Sequence, residues 1–258
     1  MTRFATWNVN SLNARLARIE QWVADIGPDI LCMQETKLAD DAYPALSFEA
    51  LGYESAHHGE GRWNGVGVLS RVGLSDVTTG FDDGLDPDPE ARVMTARCGD
   101  FTVVNVYVPN GRSLDHEQYQ YKLSWLARLE DHLDAVRQRS DAVVLAGDFN
   151  IAPADIDVYS PAAFEGATHV SPAERDFIAR LQDRGWRDVL RGCYPAAERV
   201  FSWWDYRRGD FHQGRGMRID LVLATAPVAD RVAWCVIDRN ARKGQLPSDH
   251  APVIVDLN

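Results

Sequence analysis

The chain has little of what would place it in a membrane or outside the cell. Its 258 residues include only four cysteines, Cys32, Cys98, Cys193 and Cys235, widely scattered and without a C-x-x-C pair. That argues against a zinc-binding or disulfide-based scaffold and predicts buried thiols. No apolar run approaches the roughly 20 residues that span a bilayer, and Met1-Thr2-Arg3 leads straight into a strand-like segment instead of a signal peptide. A soluble, cytoplasmic protein is expected. A basic excess is also missing: the formal charge of −11 argues mildly against indiscriminate polyanion binding. No low-complexity linker breaks the chain, and the segments on either side of residue 125 both mix strand and helix patterns. One α/β domain over 1–258 is the simplest organisation, and at this size it buries roughly 70% or more of its unfolded surface.

The organising stretch is Val143-Val144-Leu145-Ala146-Gly147-Asp148-Phe149-Asn150. Its apolar run is too short for a helix and suits a strand covered on both faces, with Gly147 allowing a tight turn at its end. Asp148 and Asn150 are thereby delivered to a strand edge, although alone they fit an Asx turn equally well. The opening repeats the theme. Phe4 to Asn10 reads as a strand ending in carboxamides. Leu12, Leu16, Ile19, Trp22 and Ile26 then recur at helical spacing until Gly27-Pro28 stops them, and Ile30 to Gln34 forms a second strand with Glu35 just beyond.

Asn64 to Ser70 is strand-like, and a hairpin is expected between Val93 and Val108 across Gly99-Asp100, with Gly first as a type II′ turn prefers. Its second arm brings Tyr107 and Asn110 to a strand exit. The loop from Asp82 to Glu90 has five acids in nine residues, but Pro87, Pro89 and the missing turn glycine mark a solvated acidic loop, not a calcium site. Leu123 to Val136 signals a long amphipathic helix. Ser171-Pro172-Ala173-Glu174 opens another, expected to run to about Gly185. Further strand-like runs lie around Val200–Trp203, Met217–Ala224, Trp234–Asp238 and Val253–Leu257.

The polar residues at these strand exits are Asn8, Asn10, Glu35, Tyr107, Asn110, Asp148, Asn150, Asp220 and Asp249-His250. In layered α/β proteins such groups gather at one rim, and carboxylates with amides are hard oxygen donors suited to Mg²⁺ or Mn²⁺. Between Arg199 and Arg218, five arginines alternate with Trp203, Trp204, Tyr206 and Phe211. Such a segment could grip phosphates and touch bases or sugars, or could be a solvated loop over buried tryptophan.

With these residues in view, the chain resembles the exonuclease III branch of the endonuclease/exonuclease/phosphatase superfamily, the bacterial abasic-site endonucleases. The resemblance runs end to end through Trp7 to Asn10, Met33 to Lys37, Tyr107 to Asn110, Gly147 to Ile151, Phe201 to Arg207, Gly216 to Asp220 and Ser248 to Val253. Gln34-Glu35, Gly147 to Asn150 and Ser248 to His250 are common to the whole superfamily. Thr36-Lys37, Tyr107 and the Phe201 to Arg207 block point to the DNA-repair branch. The chain departs from the pattern at Asp188-Val189-Leu190-Arg191, at Gly214, and at His169, where some relatives carry a smaller residue.

The resemblance implies a four-layer α/β sandwich of the DNase I-like type, two facing mixed β-sheets flanked by helices. It implies Glu35 as principal metal ligand, with Asn8, Asn10, Asp249, Asp148 and Asn150 around the same or a second ion. Asp148 would deprotonate the attacking water, Asn150 would hold it, Asp220 would orient His250, and Tyr107 and Asn110 would bind the phosphate. Trp203, Met217 and Ile219 match the lining of a pocket for a baseless sugar, while Arg112, Arg207 and Arg215 are candidate contacts to the DNA backbone. The implied activity is incision of double-stranded DNA 5′ to abasic sites, removal of 3′ blocking groups and 3′→5′ exonuclease work, by a monomer. The alternatives are a specialist for 3′ ends, with weak internal incision, and a small-molecule or lipid phosphoesterase. A secreted DNase would carry a signal peptide and disulfides, and a non-catalytic module would not need every catalytic position filled.

Overall fold

A computed structural model describes every residue except 82, so the part of the acidic loop at Asp82 lies outside the described residues. Two six-stranded sheets are built on the same plan. The first contains β1 (Thr2–Asn8), β2 (Ile30–Gln34), β3 (Glu54–His58), β4 (Val66–Ser70), β11 (Val232–Ile237) and β12 (Val253–Leu257), in the order β11-β12-β1-β2-β4-β3. The second contains β5 (Ser75–Thr79), β6 (Val93–Cys98), β7 (Phe101–Tyr107), β8 (Val143–Asp148), β9 (Arg187–Asp188) and β10 (Asp220–Ala224), in the order β5-β6-β7-β8-β10-β9. Each sheet has one parallel pair at its centre, β1 with β2 and β7 with β8. Parallel neighbours need a crossover, and helices α1 (Leu12–Ile26) and α3 (Glu117–Arg139) supply it; α2 (Ala45–Ala50) precedes β3.

Side-chain alternation sorts the core into layers. Phe4, Ile30, Cys32, Val66 and Val68 from the first sheet meet Met94, Ala96, Val103, Val144 and Val222 from the second. The intervening residues Ala5, Trp7, Leu31 and Met33 turn outward onto Leu12, Ile19 and Val23 of α1. Val104, Leu145 and Leu223 turn outward onto Leu126, Leu129 and Leu133 of α3 and onto Phe177 and Leu181 of α4 (Pro172–Asp183). Helix, sheet, sheet, helix is the expected four-layer sandwich. A polar tie crosses the inner layer: Gln34 donates to Asn105 Oδ1 at 2.7 Å, and Asn105 donates to the carbonyls of Met33 and Gly67 at 3.0 and 2.9 Å.

Several expectations need correction. Cys32, Cys98 and Cys235 are buried, but Cys193 is only half-buried. Gly147 does not end the strand. It lies within β8, where a Cβ would stand 1.9 Å from the Val106 carbonyl of β7, so close strand approach is what demands glycine. The 200–203 run forms no ladder. Trp203 makes single bridges to Met217 and His250, and β10 starts only at Asp220, because Arg218 turns inward to pair with Asp157 and Asp188. The acidic loop is not simply solvated: Arg128 holds Asp83 at 2.8 Å, and Tyr121 donates to Asp88 at 2.8 Å. Strands β3 and β5, both at sheet edges and polar in composition, carry little apolar signal. The hairpin is as expected, with φ 55 at Gly99 and no positive φ at Asp100.

Candidate active site

The shared plan of the sheets brings two pairs of strand ends together. In the first sheet Asn8 is opposite Gln34, and Glu35 follows; in the second Tyr107 is opposite Asp148, which is in turn opposite Asp220. Asn8 bridges the sheets, its carboxamide NH₂ donating to Glu35 Oε1 at 2.8 Å and to Asp148 Oδ2 at 2.9 Å. Its oxygen accepts the Asn10 backbone N–H at 3.0 Å, which fixes the orientation of the amide. Asn8 thus presents its donor side to the carboxylates and holds them in place. Burial, with the Glu35 carboxylate adding to it, pushes the Tyr107 phenol well above the ordinary range.

His250 arrives from the other end of the chain. Ser248 Oγ donates to the Asn8 carbonyl at 2.7 Å and accepts the His250 N–H at 3.2 Å, docking this turn on β1. The buried imidazole has Nδ1 2.8 Å from Asp220 Oδ2 and Nε2 3.7 Å from Asp148 Oδ2. Burial alone would lower its pKa, but Asp220 and Asp148 outweigh burial and raise it to about 10, so the ring carries both protons at neutral pH. Asp148 is raised to about 7: burial is the largest cause, His250 opposes it, and Asp220 and Glu35 add to it.

The remaining candidates fall into three neighbourhoods. Asn110 donates to Asn150 Oδ1 at 3.1 Å, and Asn150 places its backbone N–H 2.9 Å from Asp148 Oδ1, so both amides stand beside the central carboxylate. Asn10 and Asp249 form a separate pair at 2.9 Å; Asp249 also accepts from Trp203 Nε1 at 3.1 Å. Lys37, of the Thr36-Lys37 motif, joins the two groups, with Nζ 2.8 Å from Glu35 Oε2 and 2.6 Å from Asn10 Oδ1. Met217 and Ile219 are buried in a small apolar cluster with Ala152 and Val158, against which Trp203, Phe164 and Val170 pack. Phe164 and Val170 lay in a loop with no periodicity to betray them.

The arginine-rich segment divides. Arg218 is buried between Asp157 and Asp188, Arg207 is exposed and paired with Asp205 in its own loop, and Arg215 is paired with Asp210. Arg112, exposed at the β7 exit, contacts His116 at 3.3 Å. Trp204 is fully buried, whereas Trp203 is only partly so.

Glu35, Asp148 and His250 each offer a ligand atom within 4.8 Å of the others. Two of these three are carboxylates, and His250 Nδ1 is engaged by Asp220, so the donor set fits a hard divalent ion on the carboxylate side. Backbone strain collects here: Glu35 (φ 53), Asn10 (φ 44), Lys37 (φ 52) and Asn150 (φ 50) are all left-handed. Such conformations cost about 1–3 kcal/mol each.

The sequence profile of the endonuclease/exonuclease/phosphatase family matches residues 5–250. The chain is similar to exodeoxyribonuclease III of Haemophilus influenzae, 34% identical over 97% of this chain and 98% of the relative. Among solved structures it is similar to a 3′ phosphatase of Neisseria bound to a product DNA hairpin, with TM-score 0.97 and 38% identity. It is also similar to an AP endonuclease of Archaeoglobus fulgidus, with TM-score 0.95 and 38% identity; both structures are covered fully and cover this chain fully. The chain belongs to the endonuclease/exonuclease/phosphatase family, in its exodeoxyribonuclease III branch.

Proposed function

We propose that the protein is a metal-dependent phosphodiesterase of DNA repair that incises double-stranded DNA 5′ to abasic sites, removes 3′ blocking groups and trims 3′ ends. The observation that carries this reading is the buried Asp220–His250–Asp148 line, with Glu35 beside it and an apolar cluster at Trp203, Met217 and Ile219 nearby. A bound Mg²⁺ or Mn²⁺, held by Glu35 with Asp148 beside it, would neutralise phosphate oxygens and the leaving 3′ oxygen. Asp148, raised to about 7, suits removal of a proton from the attacking water near neutral pH. Asp220 keeps a proton on Nδ1 of His250, leaving Nε2–H to donate to the phosphate. Tyr107 and Asn110 add donors, and Asn150 holds Asp148 through its backbone N–H. The protein acts as a monomer in the cytoplasm on this reading, with Arg112, Arg207 and Arg215 meeting the DNA backbone.

A second reading, specialisation for 3′ ends, is favoured by His169. The residue is half-buried, and Nδ1 lies 2.8 Å from the Asn150 carbonyl, on the segment that also bears Phe164 and Val170. A side chain of this bulk would hinder an abasic nucleotide that must leave the helix more than a terminal lesion. One gel assay separates the readings: a duplex with a single abasic site is compared with a 3′-phosphate duplex in Mg²⁺. Cleavage of both supports the first reading, cleavage of the 3′-phosphate alone supports the second, and cleavage of neither removes the DNA-repair function.

A further inference from the structure

We propose that Lys122 of α3 and Glu174 of α4 are positioning residues for the carboxamides Asn110 and Asn150; the proposal rests on the DNA phosphodiesterase reading above. Both side chains are fully buried and form an ion pair. Desolvating two charges returns little unless every remaining proton and lone pair is used. Here the partners that complete the pair are the two strand-exit loops of the site. Lys122 Nζ donates to the Asn150 carbonyl at 2.7 Å and reaches the Asn110 carbonyl at 3.5 Å. Glu174 Oε1 accepts from Thr168 Oγ1 and from the His169 N–H, each at 2.9 Å, and Oε2 accepts the Ser171 N–H at 3.0 Å.

The same network turns back on the carboxamides. Thr168 Oγ1 lies 3.1 Å from the Asn110 carbonyl, and His169 Nδ1 lies 2.8 Å from the Asn150 carbonyl. Asn150 needs such support, because its backbone is left-handed and its N–H holds Asp148 Oδ1 at 2.9 Å. Capping α4 requires only the reciprocal Ser171–Glu174 bonds, which an exposed glutamate makes equally well. Capping alone therefore leaves Lys122 unexplained. Anchoring the carbonyls of Asn110 and Asn150 accounts for its burial: the pair fixes two peptides, and the peptides set the contact between the two carboxamides and hold one N–H on Asp148.

The test uses the full-length protein with Lys122→Met, Glu174→Gln and the conservative Lys122→Arg. On a 3′-phosphate duplex at saturating DNA and Mg²⁺, Lys122→Met and Glu174→Gln are expected to lose turnover roughly ten- to hundredfold, the scale of a misplaced positioning contact. DNA affinity and the Mg²⁺ concentration for half-activity should stay within about threefold, and Lys122→Arg should recover most of the turnover. In the metal-free protein, the side-chain NH₂ resonances of Asn110 and Asn150 should shift in Lys122→Met and return in Lys122→Arg. A fall in thermal midpoint with turnover and both resonances unchanged would overturn the proposal. Should Lys122→Met fail to fold, Glu174→Gln and Lys122→Arg decide by the same readouts. Should the wild-type protein cleave no DNA, the functional reading fails, and the resonances alone decide whether the pair positions the amides.

Discussion

Asp148 and Asp220 are direct cross-strand partners on β8 and β10, two buried carboxylates side by side, and His250 is the cation that makes them compatible. Like charges directly opposite one another destabilise a sheet. His250→Gln is therefore expected to cost about 3–5 kcal/mol in the metal-free protein at pH 8, the scale of removing one partner from a buried pair. The sign of the pH effect follows from the raised imidazole. The stability from His250 is present below its unfolded value of 6.5 and is lost as pH rises through about 10. His250→Gln forfeits that contribution, which is larger at pH 5 than at pH 8, so the deficit should grow as pH falls to 5. Urea denaturation at both pH values checks this, and an equal deficit at pH 5 and pH 8 would contradict it.

Asp148→Asn keeps the shape of the site and removes the carboxylate proposed as the base. Turnover should fall by roughly 10² to 10⁴-fold with DNA affinity little changed. Single-turnover kinetics beside a binding titration make the measurement, and lost binding with preserved turnover would reassign Asp148 to holding the substrate.

Chelation should abolish activity, and Mg²⁺ or Mn²⁺ should restore it. Glu35→Gln should raise the metal concentration for half-activity while leaving the thermal midpoint of the metal-free protein near that of wild type. Full activity in EDTA would remove Glu35 from its assigned role.

His169 offers two measurements. Its backbone is left-handed at φ 80, so His169→Gly is conformationally permitted, and the ratio of internal incision to 3′ cleavage should rise. An unchanged ratio would make the imidazole a scaffold group. Burial and the Lys122 ammonium push its pKa down to about 4, so the native state resists the proton that the unfolded chain accepts below 6.5. Its stability contribution is present above pH 6.5 and is lost as pH falls toward 4. Wild type should lose more stability between pH 7 and pH 5 than His169→Gln, as read by urea midpoints.

Asn105→Leu should cost about 1–3 kcal/mol, because one N–H of the Gln34 carboxamide and the carbonyls of Met33 and Gly67 would lose their Asn105 partner in the core. A chemical denaturation curve superimposable on wild type would show that the inter-sheet tie contributes nothing.

The strands that hold the site were readable because they are buried on both faces: β1, β2, β7 and β8 appear as apolar runs that stop at polar residues. Helix α4 was readable from its capping signals, since Ser171 and Glu174 bond one another's backbone as their spacing suggests. What escaped depends on contacts between segments distant in sequence. The donor-side orientation of Asn8 is set by Asn10 and by carboxylates from two sheets. The link made by Lys37 and the left-handed backbone at Glu35 leave no periodic trace, and the polar edge strands β3 and β5 carry no hydrophobic alternation.

The docking of the Ser248–His250 turn on β1 has a bearing on the order of synthesis. A ribosome makes Asn8 some 240 residues before the turn that carries the imidazole balancing Asp148 and Asp220. Until then the site lacks the imidazole that bridges its carboxylates, and β1 lacks its β12 neighbour. A chain released before residue 250 would therefore carry two apposed carboxylates and no imidazole between them, so the central arrangement of the site closes only once its two distant segments have both been made.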